Sequence, residues 1–155
     1  MAVTNNVFGP AVDNMFKGNI DLVNDEVRVA LFSAYTYSEN HATLGDVKAA
    51  GTEATGTGYD ADGKAITHGV ADEVTYADGV VTFGANAEDT EWAASTIDAA
   101  FAVVYKYVDA AGSADAASPV LCVINFDGTE SSVDGTFKIE WHENGIFRAA
   151  VNPAA

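Results

Sequence analysis

Positive charge is what this chain has least of. Its 155 residues hold 7 Lys and Arg against 23 Asp and Glu, a formal net charge of −16. A field of that sign repels nucleic-acid phosphates and anionic lipid, so neither direct nucleic-acid binding nor a membrane role is expected. Cysteine is nearly absent. Cys122 stands alone, which rules out an intrachain disulfide. Inside Val120-Leu121-Cys122-Val123-Ile124 it reads as a small buried hydrophobe and not as a nucleophile. With 3 prolines the chain has no Pro-rich linker, and it shows no internal repeat. The longest strongly apolar run, Ala99–Tyr105, is far too short to span a bilayer. Neither a basic n-region nor a continuous apolar h-region is visible near Met1, so the expectation is a soluble protein made in a cytoplasm.

What is present is alternation. The chain is 48% hydrophobic, which excludes disorder, and its length suits one domain. Four strands are expected in the last third. Asp98–Tyr107 places Phe101, Val103, Tyr105 and Tyr107 on one face, and Val120–Phe126 is apolar on both. Thr136–His142 sets Phe137, Ile139 and Trp141 against Lys138, Glu140 and His142, an ion-paired polar face. Ile146–Val151 follows the turn Glu143-Asn144-Gly145. Further strands are expected at Val27–Leu31, Lys64–His68, Asp72–Tyr76 and Val80–Phe83, with a weaker one at Glu53–Thr57. Asp78-Gly79 suits a hairpin turn. Small-residue or acidic loops are expected at Ala110–Ser118 and Asp127–Asp134. Two short helices are expected. One starts at Pro10, carries Val12, Met15 and Phe16 on one face, and ends at Lys17-Gly18. The other is a turn around Leu44 and Val47. Together these predict an all-β fold, an antiparallel β-sandwich of jelly-roll-like form with a short N-terminal helix. Residues 1–9 are expected to be a flexible arm ahead of a single domain over residues 10–155.

Chemical motifs are weak. Gly58-Tyr59-Asp60-Ala61-Asp62-Gly63-Lys64-Ala65 approaches a phosphate-binding loop. It ends in Ala65 instead of a hydroxyl residue, carries two carboxylates, and leads into a strand, so a glycine-rich turn is expected. Counted from Asp60 as a calcium loop, position five is Lys64 and position twelve Ala71, which fails. Asp127, Glu130 and Asp134 read as solvated turns, and no metal or other cofactor is expected. His41, His68 and His142 lack metal-ligand spacing, and Ser131-Ser132 lacks a nucleophile elbow. Glu140 and Glu143 could approach across a turn, but Glu140 faces outward with Lys138. No catalytic residue is assigned. Trp92 and Tyr59 fall near loops as candidate ligand-stacking rings, which keeps a carbohydrate-binding β-sandwich as one alternative.

Several segments, taken in order, resemble a family of small tailed-bacteriophage virion structural proteins. They are Val27–Phe32, Gly56-Thr57-Gly58-Tyr59 with Gly63-Lys64-Ala65, Glu91–Ile97, Ala102–Lys106, Ser118–Leu121, Asn125-Phe126-Asp127 and Gly135–Trp141. The resemblance runs from Ala11 to Val151. It implies a non-enzymatic head decoration, or cement, protein on the outer capsid surface of the virion. The implied partner is the major capsid protein, and the implied assembly is a homotrimer by analogy. A tail or tail-fibre component is the other virion alternative. Val7, Phe8, Val12, Met15 and Phe16 are the candidate capsid-binding residues.

The acidic excess also suits salty water. Salt shortens the screening length from about 30 Å at 0.01 M to about 3 Å at 1 M. The melting temperature should therefore rise with sodium chloride in a thermal scan. A flat response would show that self-repulsion is not a major term.

Overall fold

The computed structural model describes residues 3–68, 74–109 and 114–150. Outside them lie residues 1–2 of the expected arm, the start of the 72–76 strand, residues 110–113 of the expected loop, and residue 151. The fold is all-β, antiparallel and sandwich-like, with a short N-terminal helix, as the alternation predicts. In chain order it runs β1 (Thr4–Val7), α1 (Gly9–Phe16), β2 (Val27–Tyr35), α2 (Leu44–Ala49), β3 (Gly51–Glu53) and β4 (Lys64–Ala65). There follow β5 (Val74–Ala77), β6 (Val80–Phe83), β7 (Thr90–Lys106), α3 (Ala114–Ala117), β8 (Val120–Ile139) and β9 (Phe147–Ala150). The larger sheet has the order β1-β8-β7-β2-β3, with β4 also on β2, and the smaller has the order β5-β6-β9.

The larger sheet is built on one antiparallel ribbon. β7 and β8 are 17 and 20 residues long and pair from Thr90↔Ile139 to Tyr105↔Val120. The expected Val120–Phe126 and Thr136–His142 strands are thus parts of one strand, and the expected loop at Asp127–Asp134 is paired. Glu130 faces Ala99, Ser131 faces Asp98 and Ser132 faces Ile97. Register shifts between Trp92 and Ser95, Ser95 and Ile97, and Ala99 and Phe101 bend the ribbon. Ala94, Asp127 and Asp134 take positive φ along it. A bulge frees backbone donors, and here two buried hydroxyls take them. Ser95 Oγ accepts from Phe137 N (3.2 Å), Ser132 Oγ accepts from Ile97 N (3.2 Å), and the two hydroxyls bond each other at 2.8 Å. Polar residues that read as loop are therefore the means by which the strand continues.

Alternation at the ends of the ribbon is as expected. Phe137 and Ile139 are buried, while Lys138 points out to Asp89 (2.7 Å) and Glu140 (3.0 Å). Toward the C-terminal end of β7 the one-sided pattern gives way. Ala102 to Tyr105 are buried on both faces because β7 lies between β8 and β2 in a covered sheet.

The N-terminal arm is a correction. Residues 4–7 are a strand, with Thr4 opposite Asn125 and Val7 opposite Cys122. The β8 edge accepts any short extended segment, whatever its polarity, so low hydrophobicity did not leave this one loose. α2 forms at the expected place. Thr43 and Asp46 make a capping box, and Leu44 and Val47 are buried.

Between β2 and β4 the chain passes through Gly63 at φ +69. A Cβ there would lie 1.9 Å from the Val29 carbonyl oxygen. Gly18, at φ +72, has open space around it. Gly18→Ala should cost about 1 kcal/mol from backbone strain alone, and Gly63→Ala well over about 2 kcal/mol. Urea midpoints of the two variants check this, and equal costs would show that the close approach relaxes.

Candidate functional site

An open apolar region lies between α1 and the smaller sheet. Side chains alternate along strands, so the pairings Val74↔Phe83, Tyr76↔Val81, Val81↔Ala149 and Phe83↔Phe147 put six apolar residues on one face. This face, the 18–23 segment and the outer side of α1 enclose a groove of about 780 Å³. Val12, Met15 and Phe16 line it. Phe16 is 89% exposed, Tyr76 68% and Val12 37%. Isolated apolar side chains in water are ordinary, whereas here they form a contiguous group around a groove.

Three of the five expected partner-binding residues therefore share one surface. The helix packs by Ala11, which is buried, and by Met15, which is half-buried against the core, while Val12 and Phe16 face outward. Phe8 is a correction. It is 0% exposed, its N–H donates to the Leu121 carbonyl, and its ring packs 5.5 Å from that of Tyr37. Val7 is held in β1, and its carbonyl accepts from the Tyr37 hydroxyl at 2.7 Å. Burial of Phe8 just before Pro10 anchors the start of α1, a long-range contact that local spacing does not encode.

The stacking pair is also corrected. Trp92 is 5% exposed, with its ring centroid 6.0 Å from both Tyr59 and Phe137. The Tyr59 hydroxyl accepts from Leu31 N (2.9 Å) and donates to Glu53 (2.9 Å). It thereby satisfies β2 where neither β3 nor β4 pairs with it. Trp92 belongs to the core, and Tyr59 is half-buried against it with its hydroxyl engaged by β2 and Glu53.

The Gly58–Ala65 segment is structural. Asp62 N–H donates to Glu53 (2.6 Å), the Asp62 carbonyl accepts from the Tyr105 hydroxyl (2.5 Å), and the Asp62 carboxylate meets Lys48. Lys48 also reaches Glu53 (3.1 Å) and Asp115 (3.0 Å), which ties α2 to this loop and to α3. Lys64 donates to the Glu91 carbonyl. Among the described residues no group of three or more His, Cys, Asp or Glu is placed to hold a metal ion. No described helix is long and apolar enough to cross a membrane.

A second cavity of about 560 Å³ lies beside β8, where Phe126 and Trp141 line an apolar wall and Glu130, Lys138 and Glu140 a charged one. Trp141 Nε1 donates to Thr90 Oγ1 at 3.0 Å. Trp141 is half-buried against the core. The chain matches no protein-family model, no curated protein and no solved structure.

Several of these buried groups set an alkaline limit. Burial pushes the Tyr35 phenol up to about 12 and raises Tyr59 and Tyr105 well above the usual tyrosine range. Lys48 is raised as well: its hydrogen bonds to Asp62, Asp115 and Glu53 outweigh an opposing desolvation. A folded-state value above the unfolded one means that the unfolded chain loses its proton first. Stability should hold up to about pH 10 and fall above it, as read by circular dichroism melts. Constant stability to pH 12 would contradict the burial of these phenols.

Proposed function

We propose that this chain is a non-enzymatic virion structural protein that docks on the outside of an assembled capsid shell and stabilises it. Its partner in this reading is the major capsid protein, and a trimer on the shell is the assembly by analogy. The observation that carries the reading is the exposed apolar groove, where Val12, Met15 and Phe16 meet the open face of the smaller sheet. Two further points support it. The ordered resemblance from Ala11 to Val151 points to the same class of protein. A charge of −16 favours a position outside the shell, away from packaged DNA.

The test is addition of the purified protein to expanded shells that lack it. Wild-type protein should bind and raise the temperature at which the shells fall apart. The double variant Val12→Asp, Phe16→Asp should bind at least about tenfold less, as expected for loss of central apolar anchors. Its own melting temperature should change little, since both side chains point to solvent. Unchanged shell stability with wild-type protein, together with labelling of tails in micrographs, would refute the proposal in favour of a tail component.

A further inference from the structure

We infer that the groove between α1 and the β5-β6-β9 face takes a cationic amphipathic segment of a partner protein, apolar on one side and rich in Lys or Arg on the other. This rests on the docking reading above and adds the chemistry of what docks. The groove's volume, about 780 Å³, falls in the range that encloses a compact ligand or a row of side-chain anchors. Its walls are Phe16, Met15 and Val12 on one side and Val74, Val81 and Phe147 on the other. An apolar segment seated there removes from water side chains worth about 1.5–3 kcal/mol each when fully buried.

Charge decides between occupants. The chain has little positive charge to offer, and nearly all of it is engaged internally. Lys17 pairs with Asp13, Arg28 with Glu26, Lys106 with Asp25, Lys48 with three carboxylates, and Lys138 with Asp89, Glu91 and Glu140. Lys64 is bonded to the Glu91 carbonyl. Arg148 pairs with Thr82 in the register of the face opposite the groove. At the groove wall, Asp21 keeps its negative charge because its carboxylate accepts from Val23 N, Asn24 N and Asn24 Nδ2. A second copy of the chain would bring −16 against −16, with no free cationic face to offset it. A segment with apolar anchors and a basic flank gains from both terms, and its approach is steered by the acidic field.

Among the described residues β5 pairs with β6 alone and carries no charge or proline from Val74 to Ala77, so its edge is unguarded. An amphipathic segment laid in the groove is the kind of ligand that sheet and helix faces recognise by periodic apolar anchors.

The probes are three synthetic peptides of equal length: a Leu–Lys amphipath, its Leu–Glu counterpart, and an all-Lys chain. Binding is followed by fluorescence anisotropy at low and high salt, with protein self-association checked by sedimentation. The Leu–Lys peptide should bind, weaken with salt, and outbind the other two by at least about tenfold. Val12→Ser with Phe16→Ser should reduce its affinity at least about tenfold without adding charge. Val133→Ser, at another exposed site, should leave it unchanged. Equal binding of the Leu–Glu or the all-Lys peptide, indifference to the double Ser variant, or self-association through the groove would each overturn the inference. Groove-dependent peptide binding with no addition to shells would sink the shell reading and keep this one. Addition to shells that depends on Val12 and Phe16, with no preference for the cationic peptide, would do the reverse.

Discussion

The bent β7–β8 ribbon is the interaction on which the rest of the structure depends. β1 hangs on β8, β2 on β7, and β3 and β4 on β2, so each strand of the larger sheet is placed by that pairing. A ribbon this long survives its register shifts only if the freed backbone donors find partners. Ser95 and Ser132 supply them within a buried hydroxyl pair. Each leaves an orphaned donor if removed, a cost of about 1–3 kcal/mol apiece. Tyr59 does the same service for the gap on β2.

That framework also accounts for where apolar surface is left over. The larger sheet is covered on both faces in its middle, so its hydrophobic residues are consumed by the core. Among the described residues the smaller sheet has three strands. One face of it, from Val74 to Ala149, is turned toward a helix that shows it Val12, Met15 and Phe16 across an open groove. Five of the seven cations, meanwhile, are committed to internal ion pairs. Lys48 is the extreme case, one ammonium among three carboxylates. An exposed apolar groove on a strongly acidic chain is the combination that shapes the functional reading.

Much of the fold was legible. Period-two alternation placed β2, β6, both ends of β8, and the outward ion-paired face of Lys138 and Glu140. The Thr43–Asp46 cap sits in the segment read as a helical turn. Three of the expected partner-binding residues were visible as an apolar stripe on α1. The misreadings have specific causes. Asp127–Asp134 reads as loop because strands are recognised by hydrophobicity, whereas this stretch is held by backbone pairing and one inward serine. Trp92 and Tyr59 read as loop aromatics because nothing local says that they face each other and Phe137. The polar stretch Thr4–Val7 reads as an arm because strand pairing at an edge needs no hydrophobic pattern.

By itself the sequence determined the all-β class, the acidic surface, the lone thiol without a disulfide partner, and the apolar stripe of α1. These follow from composition and from spacing within a few residues. The tertiary structure decided which side of α1 is buried, that Phe8, Trp92 and Tyr59 are core, and that the stripe faces an open sheet. Those outcomes depend on contacts between residues far apart in the chain. Such contacts are set by strand pairing across the whole sheet, and periodicity along one segment carries no record of them.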